Sequence, residues 1–126
     1  MSPNREETIR EILHVRQDEP GLKKRWFRGG GFELFVWLDG VRPRRLQLAY
    51  RTESGELCLS WSAGEGFIHE QVDDGETEPL SYKASPILVP DGIFKKNEII
   101  EKFRQAAAGL DPGLVGSIID IIERYE

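Results

Sequence analysis

Cysteine is nearly missing from this chain: Cys58 is the single one among 126 residues. No internal disulfide can form, which excludes the bridge-stabilised scaffold of a small secreted domain. Long hydrophobic runs are missing too, and none approaches the roughly 20 apolar residues that a membrane-spanning helix needs. The opening Met1-Ser2-Pro3-Asn4-Arg5-Glu6-Glu7 carries no apolar stretch of the secretory kind. A cytoplasmic protein without membrane contact is expected. Motifs that announce chemistry are also lacking: no glycine-rich loop leads into Lys-Ser/Thr, no paired histidines stand at helix spacing, and no nucleophile elbow surrounds a serine.

What is present is the composition of one folded domain spanning 1–126. Hydrophobic residues make up 39% and charged residues 31%, with three Trp, six Phe and three Tyr, which rules out a disordered linker. A chain of this length buries roughly two-thirds of its extended surface, enough for a core without staples. The net charge of −5 hides a division by sequence position. Of 17 Lys and Arg, eleven fall in residues 1–51 and six in 52–126; of 22 Asp and Glu, seven fall in the first part and fifteen in the second. Such a division can be neutralised within the fold or across a dimer, while the acidic total repels phosphate backbones, so nucleic acid is not an expected partner.

Along the chain the reading is α+β. Ser2 and Pro3 start a predicted N-terminal helix with Ile9, Ile12, Leu13 and Arg16 on one side, and helix and connection occupy 1–22. A basic stretch, Lys23-Lys24-Arg25-Trp26-Phe27-Arg28, leads into Gly29-Gly30-Gly31, a bent entry to a sheet. Four runs with strand character follow between 32 and 73, each separated by short Gly-containing gaps that favour antiparallel neighbours. Pairing 44–51 with 56–62 through Thr52-Glu53-Ser54-Gly55 sets Tyr50 opposite Leu57, Leu48 opposite Leu59 and Leu46 opposite Trp61. Extending this register places Leu38, Val36 and Leu34 against Leu46, Leu48 and Tyr50, with Glu33, Arg51 and Glu56 as an ionic row. The third hairpin is read with Ile68 and Val72 beside Trp61 and Leu57, at the cost of an inward Glu70.

After the acidic loop 74–79, a proline-clipped segment, 86–90, is predicted as a short edge strand. Two helices then fill 97–125. Asn97 is expected to cap the first, while Asp111 caps the second with Pro112 at its first position and Leu114, Val115, Ile118, Ile119, Ile122 and Tyr125 as its apolar stripe. The predicted architecture is a four- to five-stranded antiparallel meander packed by these two helices, plus the N-terminal helix.

The second face of that sheet is mixed, and such a face calls for cover by a helix, a twin subunit or a ligand. Trp37, Gln47, Ser60 and His69 are expected to lie on it at similar height, as a ligand or partner surface. Ser60 with His69 suggests a nucleophile and base, and His69 with Asp73 a metal or acid–base group. Neither comes with an orienting carboxylate, an oxyanion donor pair or a metal-ligand spacing. No catalytic residue, metal or cofactor is therefore assigned. Cys58 reads as a small buried hydrophobe. A binding or interaction module, homodimeric or with a protein or small-ligand partner, is the expected function, and a small hydrolase-like or metal-dependent enzyme is the alternative.

Several landmarks carry a resemblance: Arg25-Trp26-Phe27, Phe32-Glu33-Leu34 with Val36-Trp37, Gln47-Leu48 with Tyr50, Val72-Asp73-Asp74-Gly75-Glu76, and Pro86-Ile87-Leu88-Val89-Pro90-Asp91-Gly92. On these the chain resembles a family of short, uncharacterised bacterial proteins over about residues 25 to 125. The resemblance implies a shared fold and no activity.

Overall fold

The computed structural model describes residues 8–52, 55–72, 87–88 and 95–125. Within them lie β1 (Arg10–Ile12), β2 (Lys23–Gly29), β3 (Phe32–Asp39), β4 (Arg42–Thr52), β5 (Gly55–Ser62), β6 (Gly66–Val72), β7 (Ile87–Leu88), α1 (Lys96–Ala106) and α2 (Pro112–Glu123). The strands make one antiparallel sheet in the order β1 to β7, each beside its sequence neighbours. The α+β class, the meander and the two C-terminal helices agree with the sequence reading. The strand count exceeds the four or five expected, because two segments read otherwise are strands.

The first is the N-terminal segment. Residues 10–12 pair with β2, Ile12 opposite Trp26, and the described residues 8–22 contain no helix. The spacing of Ile9, Ile12 and Leu13 fits a helical stripe, but tertiary contacts override it: the Ile9 N–H donates to the Ala106 carbonyl at 2.9 Å, and Ile9 is buried. The second is the basic stretch, which is β2 itself. It alternates faces, with Phe27 in the core and Trp26 outside, and the long Lys and Arg stems conceal that alternation in the sequence.

Glycine shapes the turn between β2 and β3. Gly30 and Gly31, at φ 61° and 84°, form the tight two-residue turn that demands left-handed backbone at both positions. Gly29 has a second reason to be glycine. At φ 134° a Cβ there would sit 2.0 Å from the Thr8 carbonyl oxygen, so the chain leading into β1 passes where a side chain would stand.

The β4–β5 hairpin has the predicted register, with Tyr50 opposite Leu57, Leu48 opposite Leu59, Leu46 opposite Trp61 and Arg51 opposite Glu56. The β3–β4 register is shifted by two residues from the predicted one: Val36 faces Leu46, Leu34 faces Leu48 and Phe32 faces Tyr50. The side-chain faces survive, but Glu33 stands opposite Ala49, and the ionic row does not form. The cause is the turn. Gly40-Val41 closes the hairpin between Asp39 and Arg42, and a bulge between Trp37 and Leu38 leaves Arg44 as an extra residue of β4. Pro43, which has no N–H to give a ladder, sits beside that bulge.

The β5–β6 register corrects the sequence reading. A three-residue loop joins Ser62 to Gly66, which sets Phe67 opposite Trp61, His69 opposite Leu59 and Gln71 opposite Leu57. Glu70 therefore points outward, opposite Cys58, and its inward cost vanishes. Ile68 is outward as well and is 51% exposed. Ile87–Leu88 pairs with β6 as an edge strand within the predicted 86–90. Asp73 and the loop after it lie outside the described residues.

The helices cover the opposite face. Asp111 caps α2 by accepting from the Leu114 N–H at 3.0 Å, with Pro112 first in the helix, as the sequence predicts. Asn97 is not a cap: α1 begins one residue before it, after Lys95, without a side-chain cap bond. Ile99, Ile100 and Phe103 of α1 and Leu114, Ile118, Ile119, Ile121 and Ile122 of α2 join Phe27, Leu34, Val36, Leu46, Leu48 and Leu59 of the sheet in one buried cluster. At roughly 25 cal/mol per Å² of apolar area this cluster is the main stabilising term.

Replacing Gly29 with Ala is expected to cost about 2–3 kcal/mol, through both the positive φ and the expelled Thr8 carbonyl. At Gly31, where a Cβ meets nothing within 4 Å, Ala should cost only about 1 kcal/mol. Urea denaturation midpoints of the two variants check this; equal losses would refute the close-approach argument.

Candidate functional site

The face of the sheet turned away from the helices is the candidate site. Antiparallel pairing arranges its side chains in rows that run across the strands. One row reads Ile12, Trp26, Phe35, Gln47, Ser60 and Ile68 from β1 to β6. The neighbouring row reads Arg28, Glu33, Ala49, Cys58 and Glu70. The Trp26 and Phe35 rings stack at 5.4 Å with a 15° interplanar angle, and the indole N–H of Trp26 donates to Glu33 at 2.8 Å. Both rings are half-buried.

A third row, Lys24, Trp37 and Arg45, is covered. Lys24 Nζ lies over the Phe35 ring at 4.8 Å and the Trp37 ring at 5.2 Å, and the Arg45 guanidinium lies over Trp37 at 5.0 Å. The segment that connects β1 to β2 closes over this layer. Gln17 imitates a strand neighbour, accepting from the Lys24 N–H at 2.8 Å and donating to its carbonyl at 3.0 Å. Asp18 accepts from the Trp37 indole at 3.1 Å and from Lys24 Nζ at 3.0 Å, and Glu19 pairs with Arg45 at 2.8 Å. Donation from Trp37 and the nearby ammonium hold the Asp18 carboxyl below its ordinary range. Trp37 is left 5% exposed.

The four residues predicted as one patch therefore separate. Gln47 and Ser60 are cross-strand partners, and Trp37 shares their face. His69 does not. It faces the core, 6% exposed, where its Nε2 lies 2.6 Å from the Tyr50 hydroxyl, its ring lies nearly parallel to that of Tyr50 at 7°, and Tyr125 meets it edge-on. Burial pushes the His69 pKa down and the Tyr50 phenol well above its ordinary range. Ser60 and His69 are thus on opposite sides of one sheet. The sequence places Phe35 on this face, as the structure does; the residues that sequence reasoning missed there are Trp26 and Ile68. Only the recognition of β2 as a strand, together with the β6 parity, could have supplied them.

Other chemistry on the molecule is quiet. Burial pushes the Cys58 thiol above its ordinary range, against a weaker opposite effect of Ser60, whose hydroxyl is 3.8 Å away. Among the described residues no group of three or more His, Cys, Asp and Glu is placed to hold a metal ion, and no helix is long and apolar enough to cross a membrane. A cleft of about 480 Å³ opens between β1, β2 and the start of α2, floored by Phe27 and Leu114. Its Arg25 is held by both carboxylate oxygens of Glu11, at 2.8 and 2.7 Å, so its strongest polar groups satisfy each other. No protein-family model, curated protein or solved structure matches this chain.

Trp37→Ala should destabilise the fold by about 3–5 kcal/mol, since it empties a covered site, and should free the segment that bonds Lys24. Amide exchange at Lys24 and urea midpoints read both effects; a neutral substitution would mean that the segment does not depend on the indole. His69 gives a pH dependence with a definite sign. Its folded pKa is depressed, so between that value and about 6.5 the unfolded chain binds the extra proton and the folded one does not. This part of the stability is complete above about pH 6.5 and is lost as the pH falls. Denaturation midpoints followed from neutral to mildly acidic pH should decline in the parent and decline less in His69→Gln; parallel declines would remove His69 as the cause.

Proposed function

We propose that this chain is a small, non-catalytic protein-interaction module that works through the open face of its sheet. The observation that carries the reading is the line from the Trp26–Phe35 stack to Ile68, which presents half-buried aromatic surface and a 51% exposed isoleucine on the same row. The row sets apolar groups on either side of Gln47 and Ser60, and aromatic side chains are the usual anchors of a protein-docking surface. The cation–π layer and the 13–21 segment hold this surface rigid at one end, so little ordering entropy is lost on docking. Large apolar groups exposed elsewhere, Leu13 at 70% and Val41 at 92%, stand alone outside the strands and build no patch.

The enzyme reading has less support. A nucleophile and its base must lie within hydrogen-bond reach, whereas Ser60 and His69 project to opposite sides and the Cys58 thiol is held protonated by burial. The single cysteine favours a cytoplasmic setting, and the landmark residues favour kinship with the family of short bacterial proteins.

A photoreactive residue placed at position 68, with a control at position 41, tests the reading in cells. Cross-linking to a protein is expected from 68 and not from 41, and the mass of the adduct identifies the size of the occupant. No adduct from 68, or equal adducts from both sites, would overturn the proposal.

A further inference from the structure

We infer that the occupant of the open face is a second copy of this chain, docked face to face about a two-fold axis that runs parallel to β4 above Ala49. The inference rests on the interaction-face reading and names its partner. Its basis is the distribution of charge across the sheet. Arg10 and Arg28 stand on β1 and β2, at one side of the face, while Glu70 stands on β6, at the other; Glu56 of β5 is already opposite Arg51 of β4. Among the described residues Arg28 and Glu70 have no ion-pair partner. The face is therefore polar in the direction across the strands, and a polar face complements its own copy when a two-fold reverses that direction.

The registers make the match specific. Ala49 is the middle member of the row Arg28, Glu33, Ala49, Cys58, Glu70, with β2 and β6 equally distant on either side, roughly 19 Å apart at about 4.8 Å per strand. An axis along β4 exchanges β2 with β6 and β3 with β5. Arg28 of one copy then lies over Glu70 of the other, and the reverse holds by symmetry. In the adjacent row Trp26 falls over Ile68, apolar on apolar, and Gln47 meets its own copy, where a primary amide can both donate and accept. Ala49 at the axis offers the small side chain that lets two sheets approach to the ~10 Å of face-to-face packing. The 13–21 segment rises over the Lys24, Trp37 and Arg45 row and bounds the contact on that side.

Sedimentation equilibrium on the full chain tests this. The parent should weigh twice 14.4 kDa and dissociate more readily as salt is raised. Arg28→Glu and Glu70→Arg, both at solvent-accessible positions, should each weaken the dimer at least tenfold while leaving circular dichroism and thermal unfolding of the monomer unchanged. The double variant should recover affinity to within a few-fold of the parent, because each copy again presents opposite signs across the axis. A parent monomeric at its highest soluble concentration, a dimer indifferent to either reversal, or a double variant no better than the singles overturns the inference. A monomeric parent whose position 68 still cross-links to a protein of different mass overturns this inference alone and leaves the interaction face standing.

Discussion

At the bulge beside Trp37, β4 carries Arg44 as one residue more than its partner strand, and the two faces of the sheet depend on it. A two-residue turn at Gly40-Val41 pairs Leu38 with Pro43; without the extra residue the same count would set Val36 opposite Arg45, and every later apolar side chain of β4 would point away from β3's core face. The extra residue resets the parity. Val36 meets Leu46, Leu34 meets Leu48, and the helices find one continuous apolar surface to cover. The Arg44 carbonyl is not wasted at the irregularity: it accepts from the Ala63 N–H at 2.9 Å, which ties the bulge to the next turn.

The same irregularity explains why the open face is firm at one end. Trp37 sits at the bulge, and the twist that bulges introduce accompanies an indole held between Lys24 and Arg45 and bonded to Asp18. Individually the surface ion pairs Lys24–Asp18 and Arg45–Glu19 are worth little. Their effect comes through geometry, since Gln17 has already fixed the segment against β2 by two backbone bonds. Charge, aromatic ring and backbone pairing thus immobilise one another, which leaves Trp26 and Phe35 beside them as a preorganised surface.

Where local signals agreed, the sequence was legible. The β4–β5 hairpin follows from strict alternation on both sides of a short polar turn, and α2 follows from Asp111, Pro112 and an apolar stripe. Where two signals conflicted, the reading went to the wrong one. Ile9, Ile12 and Leu13 fit a helix as well as a strand, and the pairing with β2 and the bond from Ile9 to the end of α1 decide between them. On β6, Ile68 and Val72 outweigh Phe67 and His69 on hydrophobicity, at the cost of an inward Glu70; the loop length, not the side chains, sets the parity. That one choice moved His69 to the open face and concealed Ile68. A histidine inside a core reads as polar in a sequence, yet the 2.6 Å contact with the Tyr50 hydroxyl answers its need for a partner.

A meander has a further consequence for electrostatics. Because each strand lies beside the next in sequence, position along the chain becomes position across the sheet. The early and the late part of the sheet differ in charge, Arg10 and Arg28 against Glu70, and for this topology that difference is a field across the face and not a mixture. A fold with crossovers would interleave the two parts and cancel it. Here the helices take the other face, so they cannot neutralise the arginines of β1 and β2 against the glutamate of β6. In the proposed dimer a copy of the chain turned about β4 would do so, with Arg28 over Glu70, so that the topology itself supplies the complementarity.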